Sequence, residues 1–173
     1  LGPYGSALTD VIYPVCEKYK IPLITQGSAL DLYNPNLRYT FNPNSSADQY
    51  LKSAVKLLGE VAIASGRKAE DLKVVIISRN DSGSKGTRSG VIEAIKEWNM
   101  QLAADIIVSP QDSDMSKALD QANGLLPDLI IATVQAEGAP FFVREFAAKK
   151  VDVPMVAMTH CDAAKLHELK PKS

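Results

Sequence analysis

Side chains able to do chemistry gather at Tyr4 to Ser6, Gln26 to Ala29, Asp81 to Ser84, Gln135 to Glu137 and Thr159 to Asp162. These stretches are rich in Ser, Thr, Gly, Gln and acid. Hydroxyls and free backbone N–H groups of this kind suit a carboxylate or another small polar ligand. Each stretch taken singly is an ordinary turn or helix cap. Their joint placement points to a site, because ligands of open α/β sheets collect at the carboxyl ends of strands. Asp81, Glu137 and Asp162 are the acids best placed to face a cleft and pair with a ligand ammonium. A solvated loop carboxylate is the simpler role for each alone.

Other chemistries find less support. Gly83-Ser84-Lys85-Gly86-Thr87-Arg88-Ser89-Gly90 follows a strand and opens a helix, as a phosphate cradle does. It fits neither G-x-x-x-x-G-K-[ST] nor G-x-G-x-x-G, so it reads as a glycine-eased turn with two solvated cations. Ser82 stands where a G-x-S-x-G elbow needs glycine. The two histidines, His160 and His167, have no evident catalytic partner, and the consecutive His160-Cys161-Asp162 does not converge on one metal. Cys16 and Cys161 form no CxxC pair. Two buried free thiols are expected, with a single bridge as the alternative. No cofactor and no metal are implied, and the chain does not read as an enzyme.

The elements that must position these loops follow from hydrophobic period. Leu8, Val11, Ile12, Val15, Cys16 and Tyr19 share one helical face, bent at Pro14. Residues 21–25 form a short strand, and Arg38 to Phe41 another. Ser45 or Ser46 caps a helix carrying Tyr50, Leu51, Ala54, Val55, Leu58, Val61 and Ala62, which Gly66 ends. Val74 to Ile77 is a central strand. A helix with Val91, Ile92, Ile95 and Trp98 follows, then a strand over Ile106 to Val108. Asp112 or Ser113 caps a helix with Met115, Ala118, Leu119, Ala122 and Leu125. The strand Leu129 to Ala132, a helix with Phe142, Val143, Phe146 and Ala147, the strand Val153 to Met158 and a short helix from about Asp162 complete the chain. Near-continuous apolar strands alternating with helices predict α/β architecture with doubly wound parallel sheets. Charge clusters at residues 66–72 and the strand–helix rhythm restarts there, which marks a lobe boundary. The opening loop Leu1 to Gly5 leads into a helix with no strand before it, so upstream sequence is expected to be missing.

The 173 residues, 46% hydrophobic and 23% charged, have the composition of a soluble globular protein and the length of one large domain or two small lobes. Nineteen basic against 20 acidic residues give a net charge of −1, which argues against a nucleic-acid partner. Aromatics at 6% offer few base-stacking platforms. No apolar run approaches the roughly 20 residues that span a bilayer. No export signal is visible, and a start at Leu1 is expected of a mature product or an excised piece.

Against that background several segments resemble a known family. Gly2-Pro3-Tyr4-Gly5-Ser6, a helix, then Ile21-Pro22-Leu23-Ile24-Thr25-Gln26-Gly27-Ser28-Ala29 resemble the N-terminal lobe of type I periplasmic binding proteins. The branched-chain amino acid (Leu/Ile/Val) binding proteins of ABC transporters and related extracellular ligand-binding receptor domains are the more specific likeness. The segment from Tyr39 to Gln49 resembles that family's next strand and helix start. Val74 to Gly86 resembles the strand and D-S-Y-G-x-G loop opening the second lobe, and residues 127–132 and 153–156 its later strands. The resemblance implies a Venus-flytrap protein, with a ligand between two lobes joined by a hinge. Residues 1–70 would be part of the first lobe and 71–173 part of the second, both incomplete because the family chain is longer.

It also implies site residues. Ser6 would offer its hydroxyl or N–H to a ligand carboxylate. Gly27 and Ala29, flanking Ser28, would contact the α-amino acid group. Gly83 and Gln135 stand where aromatics are usual, and Thr159 or His160 near the family's ammonium-binding acid. These departures leave the ligand open between an amino acid and a related amide or carboxylate. The implied partners are a small-molecule ligand and a membrane permease, in the periplasm or outside the cell, with self-association of the fragment through sheet edges and apolar hinge surface. The preferred function is solute capture for an ABC transporter. A ligand-sensing domain of a receptor or regulator is the alternative. An enzyme on the same scaffold would need a nucleophile–base pair or nucleotide loop, and the sequence shows neither.

Overall fold

The computed structural model describes residues 2–109, 115–134 and 138–160. Gln135, Glu137, Cys161, Asp162, His167, the caps expected at Asp112 or Ser113 and the closing helix lie outside the described residues. The observed elements are α1 (Ser6–Tyr19), β1 (Leu23–Ile24), β2 (Thr40–Phe41), α2 (Lys52–Ala64), β3 (Lys73–Arg79), α3 (Ser82–Glu97), β4 (Gln101–Val108), α4 (Ser116–Gly124), β5 (Leu129–Thr133), α5 (Ala139–Ala148) and β6 (Met155–Met158). β1 and β2 form a parallel pair, while β4-β3-β5-β6 form a second, wholly parallel sheet.

The larger sheet is covered on both faces, which is why β3 and β5 read as unbroken apolar runs. Val74, Ile76, Leu129 and Ile131 point to one side and pack with Val91, Ala94 and Ile95 of α3. Val75, Ile77, Ile130 and Ala132 point to the other and pack with Leu119 of α4 and Phe142 of α5. β4 starts five residues before the strand expected at Ile106. Gln101 to Asp105 lack a continuous apolar run because β4 is an edge strand with one partner. Asp105 on this edge takes a bidentate ion pair from Arg88 of α3.

Two elements depart from expectation. The helix expected from Ser45 or Ser46 begins at Lys52. Ser46 donates its hydroxyl to the Asp48 carboxylate rather than capping, residues 47–49 make a 3-10 turn, and Leu51 sits at φ 62°. α2 then buries Val55, Leu58 and Ala62 in the core of the larger sheet, so its packing joins it to the elements that follow residue 70. α1 buries Ser6, Thr9 and Cys16, while Leu8, Val11, Val15 and Tyr19, expected in a core, are exposed. The described two-residue strands beside α1 offer too little sheet to cover that face. Cys16 is a buried free thiol.

The glycines of α3 carry the contact between the two parts. A Cβ on Gly86 would lie 2.7 Å from Ala47 Cβ, and one on Gly90 would land on the Asp48 carbonyl. The Gly83–Gly90 stretch is therefore a helix on which the 47–49 turn lies directly. α1 is tied to β2 by Glu17, whose carboxylate accepts from the amides of Arg38 (2.9 Å) and Tyr39 (2.8 Å) and from the Thr40 hydroxyl (2.8 Å). The Arg38 amide bond leads in holding this carboxyl below its ordinary value of 4.5. α1, α3, α4 and α5 are each followed by a left-handed residue that is not glycine: Lys20, Asn99, Leu126 and Lys150.

Glycine to alanine inside a helix ordinarily gains about 1 kcal/mol, but overpacking costs about 1–3 kcal/mol or more. At Gly90 the neighbour is backbone and cannot yield cheaply, so Gly90→Ala lowers the urea-unfolding free energy by about 2 kcal/mol or more. Gly124→Ala, which meets open space, leaves it unchanged or raises it. A lowered folded-state carboxyl adds stability that is present above 4.5 and lost as pH falls through the lowered value. Glu17→Gln therefore flattens the acid side of a melting temperature-against-pH curve.

Candidate functional site

An open cleft of about 410 Å³ runs between the strand tips of the two sheets, lined by Tyr4, Gly5, Ser6, Gln26, Ser28, Asn44, Tyr50, Thr159 and His160. The first six come from loops about α1, β1 and β2, Tyr50 from the stretch before α2, and the last two from the end of β6. A second hollow of about 420 Å³ opens between Ala29 to Asp31 and the start of α3, where Asp81, Ser82 and Lys85 line it.

The first wall is built on buried hydroxyls. Thr9 and Thr25 are fully buried and meet at 2.7 Å; Thr9 also donates to the Gly5 carbonyl, and Thr25 accepts from the Gly27 amide. This pair fixes the loop after β1 against the start of α1. Ser6 Oγ then accepts from the amides of Ser28 and Ala29, both at 3.0 Å. Two acceptances leave the Ser6 hydroxyl its own proton to offer. Gly5 caps α1 with no side-chain bond, and the first turn holds no acid, so the positive end of the α1 dipole opens on the cleft.

The second wall is built on one carbonyl. Val134 O accepts from the Thr159 hydroxyl at 2.6 Å and lies 3.0 Å from His160 Nδ1. His160 Nε2 reaches across to the Tyr4 hydroxyl at 2.9 Å, with the two rings edge-on at 88°. Among the described residues the lining holds no Asp, Glu, Lys or Arg. Among the described residues, Arg79 Nε at the tip of β3, Thr133 Oγ1 at the tip of β5 and Ser82 Oγ at the start of α3 are buried without a hydrogen-bond partner. Such atoms cost about 1–3 kcal/mol each unless something meets them.

Ser6, Ser28, Thr159 and His160 thus share one cleft. Gly27 is buried behind it: its amide goes to Thr25, its carbonyl accepts from Asn42, and a Cβ would run into Thr9 and Leu32 at 2.7 Å. The Ala29 amide is spent on Ser6, and Ala29 lines the second hollow instead. Gly83 is buried in the first turn of α3 and lines neither space. Asp81 caps α3 by accepting from the Ser84 amide at 2.9 Å, whereas Gln135 lies outside the described residues. Asn44 and Tyr50 were not read from sequence as site residues. Tyr50 fits the apolar period of the next helix, and only the break at Leu51 turns it into the cleft.

A sequence model described as periplasmic binding protein matches residues 1–173. The chain belongs to the periplasmic binding protein family. Among solved structures, the solute-binding protein of an R. palustris ABC transporter in complex with benzoate is similar at 19% identity and TM-score 0.71, over 87% of this chain and 40% of that one. A second from R. palustris, in complex with 4-hydroxybenzoate, gives 15% and 0.74 over 90% and 41%. A branched-chain amino acid ABC transporter protein from Thermus thermophilus with bound valine gives 16% and 0.73 over 96% and 42%. The chain spans about two fifths of the length of these structures. The type I fold with parallel sheets is the expected one, incomplete relative to them. No helix among the described residues is long and apolar enough to cross a membrane.

Ser6→Ala would leave the Ser28 and Ala29 amides without their acceptor. The variant is expected to lose about 1–3 kcal/mol of stability in chemical denaturation, before any effect on ligand affinity.

Proposed function

We propose that this chain is the solute-gripping part of an ABC-transporter binding protein and holds a small carboxylate-bearing solute, an aromatic acid or an amino acid, for delivery to a membrane permease. The observation that carries the reading is the cleft between two sets of strand tips, with the uncapped start of α1 and the Ser6 hydroxyl on one wall and Thr159 and His160 on the other. A helix N-terminus and a hydroxyl proton suit a carboxylate, because both present positive charge without a counter-ion of their own. Tyr4, Tyr50 and His160 add flat surfaces that suit a planar or branched apolar body. The bound benzoate, 4-hydroxybenzoate and valine of the similar structures are all small carboxylates.

In this reading Ser6, Ser28, Thr159 and His160 contact the solute, the protein is non-catalytic, and it works in the periplasm or outside the cell. Binding favours the closed arrangement through contacts that need both walls. The exposed apolar face of α1 is the surface through which this segment on its own would self-associate.

A thermal-shift screen of the full chain containing this segment, against amino acids, amides and aliphatic and aromatic carboxylates, tests the reading. A carboxylate present at about 100 times its dissociation constant adds about 2.7 kcal/mol and raises the melting temperature. Stabilisation by uncharged amides or sugars alone, with no carboxylate active, overturns it.

A further inference from the structure

We infer that Gly86 is a positioning residue for the solute: with no side chain there, α3 seats the turn at residues 47–49 at the spacing that lets the two walls of the cleft meet across it. The inference concerns how far apart the walls stand and holds for any solute they grip.

A relay of direct contacts carries it. On the first wall, Ser6 Oγ accepts from the Ser28 amide at 3.0 Å, and the Ser28 carbonyl accepts from the Ala47 amide at 2.7 Å. Ala47 is fully buried and lies on α3 at Gly86. From α3 the Ser84 hydroxyl donates to the Thr133 carbonyl at 2.8 Å. The next carbonyl, that of Val134, holds Thr159 and His160 on the second wall. The relay closes where His160 Nε2 and the Tyr4 hydroxyl meet at 2.9 Å, whichever of the two donates. Gly86 itself does not line this cleft.

Magnitudes show that the seat governs the gap. A Cβ at position 86 would stand 2.7 Å from Ala47 Cβ. Carbon atoms rest at about 3.5–4.0 Å, so the turn would have to lift by about 1 Å. Neither Cβ has a rotamer into which it could escape. The short bonds through Ser28 and Ser6 pass that displacement to the first wall. Hydrogen bonds of this type hold out to about 3.2 Å, so the Tyr4–His160 contact has far less slack than the lift demands. Glycine weakens a helix interior, and its use at position 86, with Gly90 one turn on against the Asp48 carbonyl, is accounted for by this close approach.

The experiment uses the full chain containing this segment as wild type, as Gly86→Ala and as the reciprocal pair Gly86→Ala with Ala47→Gly, which moves one methyl from the turn to the helix. Ile131→Val, in the core of the larger sheet, controls for lost stability alone. Nuclear Overhauser contacts between the Tyr4 and His160 rings report the gap with no solute added. Calorimetry at a temperature where every variant is folded reports the binding of benzoate and of valine. Gly86→Ala is expected to lose the ring contact and to weaken at least about fivefold each probe that binds wild type. The reciprocal pair regains the contact and restores affinity to within about twofold, while Ile131→Val melts lower and keeps both. Should Gly86→Ala not fold, Ala47→Ser adds one atom to the same contact and is read in its place. A ring contact or an affinity that survives the added atom, or a loss that the reciprocal pair does not restore, overturns the inference and leaves the carboxylate reading standing. If neither probe binds wild type, that counts against the carboxylate reading alone, and the ring contact decides this inference.

Discussion

Backbone lying on backbone sets the geometry of this molecule. The turn at residues 47–49 rests on α3 where Gly86 and Gly90 have no side chains, close enough that a methyl on Gly90 would strike the Asp48 carbonyl. That contact fixes how far the loops around α1 and β1 stand from the larger sheet. The Ala47 amide also donates to the Ser28 carbonyl at 2.7 Å, so the same turn that sits on α3 holds one wall of the cleft. The width of the cleft and the reach of Tyr4 to His160 both depend on this seat.

Within the cleft, hydrogen-bond supply matters more than charge. Three amides that sequence alone would offer to a ligand are consumed in building one wall: Gly27 on Thr25, Ser28 and Ala29 on Ser6. What remains includes the Ser6 hydroxyl, which keeps its proton, the Thr159 hydroxyl, whose proton goes to the Val134 carbonyl, and the His160 imidazole. Internal bonds of this kind hold the groups in place before a solute arrives, so little ordering is left to be done on binding. The cost is that a side chain such as Ser6 holds the wall together and faces the solute at once.

Much of the fold was legible because the larger sheet is buried on both sides. Val74 to Ile77 and Leu129 to Ala132 are unbroken apolar runs for that reason, and their flanking helices follow from period alone. The edge strand β4 was half seen, since a strand with one partner need not be apolar throughout. α1 misled: its apolar period is real, yet Leu8, Val11 and Val15 face outward. Of the site, the loops could be named from their polarity, while the roles within them could not. Gly27 is packed against Thr9 and Leu32 and Gly83 is buried in the first turn of α3, and a close approach by a residue as distant as Thr9 leaves no mark on neighbouring residues. Tyr50 was hidden by a helical period that Leu51 interrupts.

The helix exits carry one more consequence. Lys20, Asn99, Leu126 and Lys150 adopt a left-handed conformation in which a side chain costs about 1 kcal/mol relative to glycine, and Asn least among them. Tertiary packing, and not local preference, therefore decides where these helices stop. The chain holds unused stability at three lysine or leucine positions that do not line the cleft. A sturdier version of this scaffold is reachable by glycine replacements there, with the groups that grip the solute untouched.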